Sequence, residues 1–181
     1  DRFYNTSSQA AMSLSLIYLN GNGVPEDEAA ARLWAERAMR ENHGPAVKAA
    51  ADMYYAGYGG PKNQRNALMD YELAGEARHA GALYAAAQRR EGGEGAGAKR
   101  KKAMELYARA GQLGSAPAIY ALAVAYDKGD GVEADPERAL TLYKIAALGM
   151  NAPAQTAIGT YFYEGGSTLG KDLVEARAWF E

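Results

Sequence analysis

Residues 118–149 read AIYALAVAYDKGDGVEADPERALTLYKIAALG, and residues 10–38 carry the same pattern. A glycine sets the period. Gly21, Gly57, Gly93, Gly129 and Gly165 stand 36 residues apart. Ala10, Ala46, Ala82, Ala118 and Ala154 share a second phase, and Tyr18, Tyr54, Arg90, Tyr126 and Phe162 a third. A fixed period of this length marks a repeat architecture, in which each unit buries its apolar face only against its neighbours.

Each unit holds two apolar-periodic segments. The first, helix A, spans 8–20 in repeat one, where Ala10, Leu14, Ile17 and Tyr18 lie at helical spacing. The second, helix B, spans about 28–41, with Ala31, Trp34, Ala35 and Ala38 at the i, i+3, i+4, i+7 positions of an amphipathic helix. The later copies are Ala67/Tyr71/Ala74, Ala103/Leu106/Tyr107/Ala110 and Ala139/Leu142/Tyr143/Ala146, then a shortened Ala176/Trp179/Phe180. The recurring alanine lets paired helices approach closely. The fold class expected is all-α: a solenoid of helix pairs forming one array over 1–181, with repeats at about 7–42, 43–78, 79–114, 115–150 and an incomplete 151–181. The last stripe, Ala176/Trp179/Phe180, is expected to be exposed for want of a capping unit.

Capping residues punctuate the same period. Ser7, His43, His79, Ser115 and Asn151 precede helix A; the serines and asparagine can accept otherwise unpaired backbone N–H groups. Pro45, Pro117 and Pro153 follow near the first helical position, where proline loses no hydrogen bond. The phased glycine closes helix A, where a left-handed backbone is needed. Asp27, Asn63, Lys99, Asp135 and Asp172 open helix B, and four of these five can cap it.

The run from Ala10 through Tyr18-Leu19-Asn20-Gly21-Asn22-Gly23-Val24-Pro25-Glu26-Asp27 to Ala38, repeated at 118–149, resembles the Sel1-like repeat family, a relative of tetratricopeptide repeats. The likeness covers nearly the whole chain and is weakest in repeat three. It implies a right-handed α/α superhelix acting as an adaptor for protein complexes. Bacterial members of the family are often exported, to the periplasm or beyond, and take part in signalling, envelope biology or host contact. Some members staple each helix pair with a disulfide; this chain has no cysteine and depends on packing between repeats.

The remaining composition excludes more than it selects. A net charge of −2 gives no global pull toward nucleic acid. No apolar run approaches the roughly 18 residues of a membrane span. Gly165-Gly166-Ser167-Thr168-Leu169-Gly170-Lys171-Asp172 nearly matches a phosphate-binding loop. It follows a helix rather than a strand, however, and ends on Asp172 where a magnesium-binding hydroxyl is required. His43 and His79 are one period apart. Equivalent positions in adjacent helices lie about 8–10 Å apart, too far for one zinc. No nucleophile elbow or carboxylate pair at catalytic spacing can be named, so no enzyme activity, cofactor or metal is expected.

The inner face of helix A is the expected binding surface. Its rows vary between copies, whereas packing rows stay uniform, and they mix tyrosine with charge. The residues singled out are Met12, Leu16, Lys48, Asp52, Tyr55, Tyr84, Gln88, Tyr120, Val124, Asp127, Thr156 and Tyr163. Tyrosine offers large area, a polar tip and little entropy to lose. The expected partner is a protein or peptide; a glycan or cell-wall component is the alternative, since aromatic rings also stack on sugars. A second candidate surface is basic: Arg89, Arg90, Lys99, Arg100, Lys101 and Lys102. Residues 80–115 carry +4 in a chain of −2, with four cations expected at a helix start and a loose connector over 92–97.

Overall fold

The computed structural model describes residues 8–39, 44–91, 96–165 and 171–180, with the backbone alone at 96–99. Among these there is no strand, and ten helices follow one another: α1 (Ser8–Asn20), α2 (Glu28–Met39), α3 (Gly44–Ala56), α4 (Gln64–Glu76), α5 (Ala80–Glu91), α6 (Ala96–Gln112), α7 (Ala116–Lys128), α8 (Pro136–Leu148), α9 (Ala152–Glu164) and α10 (Leu173–Phe180). Odd numbers are helix A and even numbers helix B. The chain divides into two compact units at residues 86 and 87, within α5. In the first, α1 packs on α2, α2 on α3 and α3 on α4; in the second, α6 to α10 stack in the same successive order.

Capping residues set the helix ends. Asp27, Asn63 and Asp135 accept from the backbone N–H three residues on, and Asp172 accepts from Val174 and Glu175. Ser115 and Asn151 do the same for α7 and α9. His79 performs this role with its ring, Nδ1 accepting from the Ala82 N–H at 3.0 Å. Gly21, Gly57, Gly129 and Gly165 all have positive φ, as their place after helix A requires. Ser7, His43, Gly93 and the 166–170 segment of the phosphate-loop lookalike lie outside the described residues.

Three expectations are corrected. Ala10 is exposed, although Ala46, Ala82, Ala118 and Ala154 are fully buried. Ala46 packs with Ala38 of the preceding helix B, and among the described residues no helix precedes α1. Helix α6 begins at Ala96, not at Lys99, so the connector ends earlier and the four cations lie in the fourth to seventh helical positions. In α10, Ala176 is buried and Trp179 packs against the core of the second unit; Phe180 is half-exposed, and the most exposed apolar residues are Leu173 and Val174.

Ser15, Ala51, Ala87, Ala123 and Gly159, one period apart on helix A, are all buried and all small. The Ser15 hydroxyl donates to the Ala31 carbonyl of α2 at 2.7 Å, and Ser8 donates to that of Ala38 at 2.7 Å. At Gly159 a Cβ would stand 2.6 Å from the Phe180 ring. Each unit is therefore held by alanine-lined seams, with a few larger buried side chains such as Val47, Tyr71, Leu106 and Ile158 among them.

Candidate functional site

Helix A and helix B are joined by a repeated contact. Three helix B tyrosines, Tyr71, Tyr107 and Tyr143, are buried at equivalent positions. A buried phenol requires a hydrogen-bond partner. Each donates to a carboxylate on its helix A: Tyr71 to Asp52 at 2.5 Å, Tyr107 to Glu91 at 2.8 Å and Tyr143 to Asp127 at 3.4 Å. Where helix B carries Ala35 or Phe180 instead, the helix A positions hold Leu16 and Leu19, or Thr160 and Tyr163. Phenol and carboxylate occur together or not at all.

In the second unit the contact becomes a small aromatic cluster. Asp127 accepts from both Tyr143 and Tyr161. The Tyr143 ring packs against Tyr120 at 5.7 Å and Tyr161 at 5.9 Å, both tilted. Burial, followed by the adjacent Asp127 carboxylate, raises both the Tyr143 and Tyr161 phenols above their ordinary range. Both therefore remain donors at neutral pH. Beside them opens a cavity of about 380 Å³, lined by Asp127, Pro136, Tyr143, Ala157, Thr160, Tyr161 and Glu164.

The predicted face is distributed over both units. In the first, Met12, Lys48, Asp52, Tyr55 and Tyr84 are half-buried and Leu16 is exposed. Lys48 and Asp52 form an ion pair at 2.7 Å, so both are already partnered. In the second, Tyr120, Val124 and Asp127 are half-buried, while Gln88, Thr156 and Tyr163 are exposed. None of the twelve is fully buried, unlike Ala46, Ala82, Ala118 and Ala154 on the same helices. Sequence reasoning missed Tyr161 and Glu164. The register gave no signal for them, because both rows change in every copy: Ile17, Met53, Arg89, Ala125 and Tyr161 in one, Asn20, Ala56, Gly92, Lys128 and Glu164 in the other.

The basic segment is partly neutralised. Arg100 pairs with Asp130 at 2.6 Å and Lys102 with Glu105 at 3.2 Å. Arg89 and Lys101 are exposed and Arg90 half-buried; the Lys99 side chain lies outside the described residues. A second cavity, of about 920 Å³, lies beside this helix and has mixed charge, with Lys101 and Arg138 facing Glu105, Glu133, Asp135 and Glu137. No group of three or more potential metal ligands occurs among the described residues, and no described helix is long and apolar enough to cross a membrane.

The Sel1 repeat family matches at 7–43, 46–79, 80–115, 116–149 and 152–181. A Sel1 repeat protein from Oxalobacter formigenes superposes with a TM-score of 0.86 at 24% identity, over 99% of this chain and 73% of that one. A protective antigen of uropathogenic Escherichia coli strains, displaying an SLR fold, gives 0.85 at 25% identity over 96% of this chain. This chain spans only 37% of that antigen's length. An immunity protein from Pseudomonas aeruginosa shares the fold more distantly, with a TM-score of 0.61 at 19% identity over 96% of this chain and 63% of its own. A search of curated protein sequences finds no match to this chain.

Proposed function

The chain belongs to the Sel1 repeat family, and from that premise we propose that it is an adaptor holding a peptide, or the surface of a partner protein, against its helix A faces. Sel1 repeat proteins are generally protein-interaction scaffolds, and the fold is typically non-catalytic. The supporting observation is the contrast within each helix A. Alanines at the packing positions are fully buried, while Tyr55, Tyr84, Tyr120 and Tyr163 keep part of their surface in solvent. Partly exposed tyrosines on a rigid helical support are suited to anchor a ligand at low entropic cost.

Parallel selection from a displayed random-peptide library and a glycan array tests the reading. The expected outcome is enrichment of peptides whose binding is lost on Tyr84→Ala and Tyr163→Ala substitution. Enrichment of glycans alone, or peptide binding indifferent to both substitutions, overturns it.

A further inference from the structure

We propose that the cavity beside Asp127 is a receptor for an arginine side chain of the bound partner. The proposal rests on the adaptor reading and specifies the chemistry of one anchor. The cavity, about 380 Å³, is at the small end of the roughly 300–1,000 Å³ of ligand sites, a size for one side chain rather than a cofactor.

Its walls favour a planar cation. Asp127 and Glu164 supply two carboxylates, and no lysine or arginine lines the space. Glu164, the last residue of α9, is exposed and has no ion-pair or hydrogen-bond partner among the described residues. Asp127 is held in place by two phenols. A carboxylate has about four acceptor sites, so two remain for an incoming N–H. Thr160 donates its hydroxyl to the Thr156 carbonyl at 3.0 Å and keeps its own oxygen free to accept. Tyr161, half-buried, adds ring surface, on which guanidinium stacks more readily than ammonium. The C-terminal ends of α7 and α9 add negative partial charge, while Pro136 opens α8 without an N–H to attract an anion.

The repeat register sharpens the inference. Thirty-six residues earlier, the equivalents of Pro136, Tyr161 and Glu164 are Arg100, Ala125 and Lys128. Two cations and a lost ring would remove the same property there. The fold does not require the cavity, since the preceding copy has a different lining.

The test uses N-acetyl-arginine amide, titrated into the isotope-labelled chain and followed by NMR. Saturable shifts are expected at the backbone amides of Asp127, Thr160 and Glu164, and none with the neutral N-acetyl-citrulline amide. Glu164→Gln should weaken binding about tenfold, as loss of one charged partner does. Glu164→Lys, which copies the preceding repeat, should abolish it. Both substitutions fall on an exposed helix end and should leave the melting temperature unchanged. Equal binding of the two amides, or unchanged affinity in either variant, overturns the pocket. A library-selected peptide whose affinity survives Glu164→Lys overturns the pocket alone, leaving the adaptor reading standing; enrichment of glycans alone in the parallel selection overturns the adaptor reading alone.

Discussion

The Tyr71 hydroxyl, buried on α4, donates to the Asp52 carboxylate on α3, and Asp52 also receives Lys48 at 2.7 Å. A hydrogen bond to a charged acceptor contributes more than a neutral one. Tyr71→Phe keeps the ring and removes the donor, and Asp52 remains paired with Lys48. The expected cost is about 1–2 kcal/mol in urea unfolding. Asp52→Ala should cost a similar amount by removing the charged acceptor of this bond. The double variant should cost about 1 kcal/mol less than the sum, because the two act through one contact. Strict additivity would show that the pair is not coupled.

Asp70 occupies a helix B position held elsewhere by Trp34, Leu106, Leu142 and Trp179. It is half-buried, with no hydrogen-bond or ion-pair partner among the described residues, and burial raises its carboxyl above the ordinary value. A raised folded-state value means that the protonated form is favoured in the fold. Below the unfolded value, about 3.9, Asp70 carries no charge penalty. As pH rises through the folded value, the penalty appears and stability falls. Asp70→Leu should therefore stabilise the chain at pH 7 by on the order of 1 kcal/mol, from relieved charge burial and added apolar contact. The gain should shrink in acid. A gain equal at pH 3 and pH 7 would assign it to packing alone.

Gly129 closes α7 at φ +69°, and a Cβ there would stand 3.3 Å from Ala134 Cβ. Gly129→Ala should cost about 1 kcal/mol, mainly from the left-handed backbone. Gly59, at φ +67°, faces a harder obstacle, since its Cβ would lie 2.2 Å from the Glu28 carbonyl oxygen. Backbone cannot move aside as a side chain can. Gly59→Ala should be the more damaging of the two in thermal melts; since the left-handed strain is common to both, the reverse order would mean that the Glu28 backbone gives way to the added Cβ.

Much of this architecture is legible in the sequence, because the period of 36 repeats the physical determinants of each helix pair. Gly129 and Gly165 mark helix ends, Asp135 and Asn151 cap helices, and Ala139 with Ala146 marks a seam. Contacts between elements were harder to read. The pairing of Tyr71 with Asp52, or of Tyr143 and Tyr161 with Asp127, joins helices whose local patterns are independent. Only comparison across copies gives a signal: a carboxylate present with tyrosine and absent with Ala35 or Phe180. Ala10 was misread because its burial depends on a neighbouring helix, not on its own segment. The early start of α6 escaped because Ala96 and Ala98 favour helix while the flanking glycines suggest a connector.

The helix A tyrosines differ in how cleanly they separate binding from folding. Tyr120 touches the Tyr143 ring, and an aromatic pair contributes about 0.5–1.5 kcal/mol beyond its buried area. Tyr120→Ala should therefore lower both stability and partner affinity. Tyr163 is 59% exposed and should separate the two. Its replacement by Ala should leave the melting temperature within about a degree, since exposed sites usually shift stability by less than ~0.5 kcal/mol. If Tyr163 anchors a peptide, affinity should still fall by on the order of tenfold, the loss of one interface anchor. Calorimetry on a library-selected peptide, with a thermal melt of the same preparation, measures both. A peptide affinity unchanged by Tyr163→Ala but reduced by Tyr120→Ala, in proportion to lost stability, would return these tyrosines to a structural role.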